Sequence, residues 1–214
     1  MGPLEQLRAG RLPARLAQLV VGLWLFGTAS AMFVRSGLGL APWDVLHSGL
    51  QRVWGVSFGT VMVVVGAVVL LLWIPLRQWP GLGTVLNTIV IGVAADVTLA
   101  WLPVQAGWPS RWALLLSGVV LNGFAGALYI GSQLGPGPRD GLMTGLSRRT
   151  GRSIRLVRTL IELTVLAAGW ALGGVVGVGT VFFAMLIGPV TQLFLPMVTV
   201  RLPSRVGEVD GEAA

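Results

Sequence analysis

Apolar runs of about twenty residues follow one another along this chain, and each is long enough to cross a hydrocarbon core of about 30 Å as a helix. Nothing else in the sequence narrows the fold so far. The runs lack the strict alternation that a membrane barrel needs. Only 11% of the residues are charged and the mean hydropathy is +0.81, against about 25% charged residues in an ordinary soluble domain. The expectation is an all-α membrane protein. Six spans are read, near 16–34, 58–76, 83–103, 112–131, 154–173 and 178–198.

Charge supplies the orientation. The net charge is +7 and all 15 basic residues are arginine. A basic chain can signify nucleic acid, but here the arginines flank apolar runs, so nucleic acid is not expected as a partner. With the N-terminus inside, the cytoplasmic side collects Arg8, Arg11, Arg15, Arg77, Arg139, Arg148, Arg149, Arg152, Arg155, Arg158, Arg201 and Arg205. The outside keeps Arg35, Arg52 and Arg111. That bias follows the positive-inside rule and places both termini in the cytoplasm. Residues 1–15 then form a basic cytoplasmic arm and 201–214 a polar, disordered cytoplasmic tail. The first apolar run leads straight into further membrane segments, so no cleavable signal is expected. The chain contains no cysteine and a single histidine. A thiolate metal centre and a multi-histidine site are both excluded, and no metal or cofactor is expected.

The chain repeats itself at a shift of 96 residues. The phrase "GLGLAPWDVLHSGL" at 37–50 faces "QLGPGPRDGLMTGL" at 133–146. Gly39, Pro42, Asp44, Gly49, Gly55 and Ser57 match Gly135, Pro138, Asp140, Gly145, Gly151 and Ser153. The same register pairs "GLGTV" at 81–85 with "GVGTV" at 177–181, Arg15 with Arg111, Gly22 with Gly118 and Gly27 with Gly123. Agreement at Pro, Asp, Gly and Arg positions separates a true repeat from the general likeness of Leu/Val-rich segments. The units are 16–104 and 107–200, each with three spans. Three is odd, so the second unit enters the membrane in the opposite sense. The expected architecture is six transmembrane helices in a 3+3 inverted-topology repeat. Such repeats recur in transporters, with sites near the midplane between the halves.

Each phrase encodes a short helix. Pro42 and Pro138 suit the first helical position. Asp44 and Asp140 then meet the positive end of the helix dipole. Gly55 and Gly151 fit the left-handed position just past a helix end. A helix of about twelve residues is roughly 18 Å long, too short to span, so it is re-entrant or interfacial. Gly49 and Gly145 sit inside these helices, which points to close packing against a neighbour.

Two readings of the acidic residues stand at this stage. Asp44 and Asp140 either only start their helices or face a shared pathway. Trp43 occupies the place of Arg139, and His47 that of Met143; His47 is either a proton-responsive group or an incidental interfacial side chain. Polar groups within spans are costly and therefore informative. Asn87, Asp96, Asn122, Glu162 and Gln192 are such groups, and Asp96 and Gln192 are repeat equivalents. Glu162 follows Arg158 by four residues and reads as a local ion pair. The pathway candidates are Trp43, Asp44, His47, Asn87, Asp96, Arg139, Asp140 and Gln192. The GxGT runs lack the lysine of a phosphate loop and read as tight helix packing. No catalytic constellation is present, so an enzyme is not expected.

The phrases at 37–50 and 135–143, with "GLGT" at 81–84 followed by Asn87, Gly92 and Asp96, and "GVGT" at 177–180 followed by Gly188 and Pro189, resemble the YczE branch of the YczE/YyaS/YitT-type bacterial integral membrane proteins. The resemblance covers about 15–200. It implies a multi-span protein of the bacterial inner membrane and lends no substrate. Two functions follow as expectations. One is a small permease or ion-coupled transporter of unknown substrate. The other is a non-transporting membrane factor that assists, anchors or regulates partners through the basic surface at Arg139, Arg148, Arg149, Arg152 and Arg155. A mass of 22.5 kDa is small for enclosing a pathway alone, which points to a homodimer. The two expectations part on whether a polar cavity reaches Asp44 or Asp140.

Overall fold

The computed structural model describes residues 2–202. Residues 203–214, where most of the expected polar tail falls, lie outside the described residues. Among the described residues all regular structure is helical. The helices are α1 (Pro3–Arg8), α2 (Leu12–Ser36), α3 (Pro42–Trp54), α4 (Phe58–Leu71), α5 (Leu82–Trp101), α6 (Trp108–Gly131), α7 (Pro138–Thr150), α8 (Ile154–Ala171) and α9 (Val178–Val198).

Four of these, α2, α5, α6 and α9, are long and apolar enough to cross a membrane. A fifth span appears if α3 and α4, bent by 112° at their junction, are counted as one broken span. The expected spans at 58–76 and 154–173 therefore differ from the others. α4 has 14 residues, about 21 Å of helix, because the chain turns after Leu71 and folds Trp73 inward. The indole N–H of buried Trp73 donates to the Pro138 carbonyl at 3.0 Å. α8 has 18 residues and carries Arg155, Arg158 and Glu162, which breaks its apolar run. The N-terminal arm is partly helical, and Arg15 at its end is wholly buried.

The centre is an antiparallel contact between α2 and α6, tied at both ends by arginines 96 positions apart. Arg15, at the start of α2, donates to the carbonyls of Ser132 (2.8 Å) and Gln133 (2.7 Å) just past α6. Arg111, at the start of α6, donates to the carbonyls of Ser36 (2.6 Å) and Gly37 (2.7 Å) at the end of α2. Each cation meets the unpaired carbonyls and the negative dipole end of the other helix.

The GxGT runs form a second reciprocal pair of contacts. The amide of Gly83 donates to the Leu134 carbonyl at 2.9 Å, and that of Gly179 to the Leu38 carbonyl at 2.8 Å. A Cβ on Gly83 would lie 2.9 Å from the Leu134 oxygen, and one on Gly179 2.9 Å from the Gly39 oxygen. The receiving loops turn at Gly39 (φ 127°) and Gly135 (φ 120°), a region that side chains rarely enter. The glycines thus allow backbone to touch backbone, with no phosphate loop.

Helices α3 and α7 begin at Pro42 and Pro138 and stop at Gly55 and Gly151, both left-handed. Ser57 and Ser153 cap the helices that follow, accepting from the amides of Thr60 and Leu156. α3 packs on α8, where a Cβ on Gly49 would meet the Gly169 oxygen at 2.6 Å. α7 packs on α8, α4 and the turn beyond it, with Gly145 against Leu76 and Gln78. At Gly141 a Cβ would lie 1.9 Å from the Trp73 ring.

The α3–α8 crossing yields a prediction. A Cβ on Gly169 would lie 2.4 Å from the Leu46 amide nitrogen, a backbone atom that cannot swing away. Gly169→Val is expected to cost about 3 kcal/mol or more and to abolish the monodisperse peak on size exclusion in detergent. Gly188→Ala, where nothing lies within 4 Å of the added carbon, is expected to elute like the parent.

Candidate functional site

The starts of α3 and α7 meet α4, α5, α6, α8 and α9 around a cavity of about 330 Å³. It takes Trp43, Asp44 and His47 from α3, and Arg139 and Asp140 from α7. Asn87 of α5 and Gln192 of α9 complete the sequence candidates that line it. Asp96 is not in its wall. The Asp96 carboxylate accepts from the Ser57 hydroxyl (2.5 Å) and the Gly59 amide (2.7 Å), so it satisfies the first turn of α4.

The charged groups form a chain across the cavity. The Asp44 carboxylate accepts from Nδ1 of His47 at 3.1 Å and has an Arg139 nitrogen at 3.9 Å. The Arg139 guanidinium lies over the Trp43 ring, 4.8 Å from its centroid. These two residues hold the same position in the two copies of the phrase, so the copies meet here. The Asp140 carboxylate accepts from the Tyr129 hydroxyl at 2.5 Å. Glu162 accepts from Arg158 at 2.9 Å, and this local pair also lines the cavity.

Hydrogen-bonding capacity in the wall is only partly used. Each carboxylate has a hydrogen-bond donor, whereas the Arg139 guanidinium has no acceptor within hydrogen-bond distance among the described residues. Asn122, 3% exposed, makes no side-chain hydrogen bond among the described residues. The Trp43 indole N–H is also buried without a partner. A dry cavity in an apolar protein would carry a penalty for each of these groups.

The reading of the sequence did not single out Tyr129, Thr88, Thr191 or Phe183, and it left Asn122 among the general polar groups. The repeat held a usable signal. Tyr129 replaces Phe33, Asn122 replaces Phe26 and Asn87 replaces Phe183 at the 96-residue shift. Five positions exchange an aromatic hydrocarbon for a hydrogen-bonding group in this way; these three supply cavity residues, whereas Thr28 with Phe124 and Thr98 with Phe194 lie outside its wall.

The chain is similar to known proteins over most of its length. The profile of a family of unknown function (DUF6198) matches residues 13–196. An uncharacterized protein of Haemophilus influenzae is 42% identical over 86% of this chain and 84% of its own length. The uncharacterized membrane protein YczE of Bacillus subtilis is 33% identical over 85% of this chain and 89% of its own. YyaS of Bacillus subtilis is 26% identical over 83% of this chain and 90% of its own. No solved structure matches. With its apolar helices and these relatives, the chain is an integral membrane protein that belongs to the DUF6198 family, of the YczE type.

Proposed function

We propose that this protein is a small carrier of the inner membrane that holds a polar solute in the cavity between two inverted three-span halves. The observation that carries this reading is the cavity itself: residues of both phrases line one space whose guanidinium has no hydrogen-bond acceptor and whose buried Asn122 amide makes no side-chain hydrogen bond among the described residues. In apolar surroundings such groups are retained at a cost that ligand binding offsets. The reciprocal ties of Arg15 with Arg111, and of Gly83 with Gly179, support the inverted repeat, since each half grips the other by the same contacts. In that architecture α4 and α8 are shortened spans completed by α3 and α7, and the positive-inside bias puts both termini in the cytoplasm. Arg139 is the anchor for a polar or acidic end of the solute, and Asn122, Asn87 and Gln192 supply neutral hydrogen bonds.

The test is a thermal-shift screen of the purified protein in detergent against small organic acids, amino acids and sugars. Binding at a hundred times Kd adds about 2.7 kcal/mol, or about 5–10 °C in a protein of this size. At least one compound is expected to stabilise the parent and to lose that effect in Asn122→Leu and Arg139→Gln. Stabilisation by no compound, or equal stabilisation of the variants, counts against a solute in this cavity.

A second reading keeps one observation of its own. Arg148, Arg149, Arg152 and Arg155 are exposed at the junction of α7 and α8, as a docking surface for an acidic partner protein would require. Charge reversal there, with the cavity intact, separates the two: it abolishes activity only if partner docking is the function.

A further inference from the structure

We propose that the cavity opens sideways into the bilayer between α8 and α9, and that its solute is an amphiphile whose polar head sits inside while its hydrocarbon tail stays in the lipid. The helices that line the cavity form a ring. Round it, α9 packs on α6, α6 on α2, α2 on α5, α5 on α4, α4 on α7 and α7 on α8. Among the described residues no such packing joins α8 to α9, so the ring is open there. α9 is one of the apolar spans and its one extensive contact is with α6, so a gap along its side faces lipid. Arg158 and Glu162 of α8, and Gly188 and Gln192 of α9, are the cavity wall at this gap.

The repeat explains why the gap exists. In the first half, α4 and α5 fit together through Gly59, Val63 and Gly66. A Cβ on Gly92 would lie 2.6 Å from the Gly59 oxygen, and one on Gly66 2.9 Å from the Thr88 side chain. At the 96-residue shift Gly59, Val63 and Gly66 become Arg155, Thr159 and Glu162. Only a residue as small as glycine lets two helix backbones approach that closely, so α8 cannot close on α9 as α4 does on α5. Gly92 becomes Gly188, where an added Cβ would meet nothing within 4 Å. The opening is therefore written into the sequence.

The walls of the gap suit a polar head. The Arg158 side chain is 58% exposed and that of Glu162 33%, and Thr159 and Gln192 are exposed as well. Polar groups that face hydrocarbon are costly, and a head group in the gap offsets that cost. Deeper in, the Trp43 indole N–H has no partner, and the Asn122 amide makes no side-chain hydrogen bond among the described residues. Beside the gap, Leu156 and Leu160 of α8 and Met185 and Leu193 of α9 present exposed hydrocarbon for a tail. A solute without a tail must cross lipid to reach this opening, whereas an amphiphile is already there. The inference rests on reading the cavity as a solute site.

Two measurements on the full chain test this. The chain has no cysteine, so Gly188→Cys carries a single nitroxide in lipid vesicles. Its collisions with oxygen, which concentrates in lipid, are compared with those with a water-soluble nickel chelate. Oxygen is expected to dominate. Dominance by the chelate would make the gap aqueous, and a label shielded from both would mean that a second copy or α8 closes it; either result overturns the sideways opening. The second measurement follows thermal unfolding in lipid nanodiscs with acetate, hexanoate and dodecanoate, which share one head. The apparent Kd is expected to fall at least about tenfold from hexanoate to dodecanoate, because the bilayer holds the longer chain. That stabilisation is expected to be lost in Arg139→Gln. Equal responses to acetate and dodecanoate, or a dodecanoate response unchanged in Arg139→Gln, refute the amphiphile. If a small polar compound stabilises the protein and none of these three does, the amphiphile falls alone. If no compound of either kind stabilises it, the carrier falls too.

Discussion

Replacing Arg15 with alanine is expected to lower stability by about 3 kcal/mol or more, and Arg111→Ala by clearly less. Both guanidiniums close the end of the partner helix. Arg15, however, is 0% exposed and also donates to the Gln6 carbonyl at 2.6 Å, tying the N-terminal arm to the same knot. Its removal leaves several buried carbonyls without donors, each at about 1–3 kcal/mol. The Arg111 knot is partly open to solvent, so water can serve the carbonyls of Ser36 and Gly37 there. Thermal unfolding in detergent checks this, with a fall of about 10 °C expected for Arg15→Ala. Equal small losses for both variants would mean that the two ties do not carry the α2–α6 packing.

The Arg15–Arg111 pairing also shows how far the sequence could be read. The shift of 96 residues, the starts of α3 and α7 at proline and their stops at glycine follow from local chemistry that needs no tertiary knowledge. Of the seven cavity candidates, Trp43, Asp44, His47, Arg139 and Asp140 stand in the repeated phrases, and Asn87 and Gln192 are amides within apolar runs, where polar groups have few uses. Asp96 belonged to the same class by sequence and turned out to serve the turn at Ser57 and Gly59; its partner comes from another helix, which spacing cannot reveal. The six-span expectation overlooked Trp73. An inward turn after Leu71 depends on the space that Gly141, 68 residues further along the chain, leaves for the Trp73 ring, which is visible only in the fold. Tyr129 escaped because a lone tyrosine in an apolar helix usually marks an interface; only its exchange with Phe33 across the repeat sets it apart.

The second large effect is expected at Arg139. Asp44 is buried, and Arg139 is the arginine within ion-pair distance of it. Arg139→Gln leaves Asp44 without an arginine within ion-pair distance, since the cavity's other arginine, Arg158, is paired with Glu162. Breaking a fully buried pair costs about 3–5 kcal/mol. Here the 3.9 Å separation and the 30% exposure of the arginine side chain reduce that to about 1–2 kcal/mol. Adding Asp44→Asn to Arg139→Gln removes the stranded charge and is expected to recover at least half of the loss. A double variant less stable than the single one would show that Asp44 is held by groups other than Arg139. Solute binding discriminates further: the double variant is expected to regain stability without regaining ligand stabilisation, because the anchor is still missing.

The central claim is that two copies of one unit lie in the membrane in opposite senses and close on a common cavity. Arg52 and Arg148 are repeat equivalents, both exposed near the ends of α3 and α7. Single cysteines at these positions, probed from each side with an impermeant thiol reagent, test the claim most directly. Labelling of Arg52→Cys from one side and of Arg148→Cys from the other is the predicted result; labelling of both from the same side would contradict the inverted repeat.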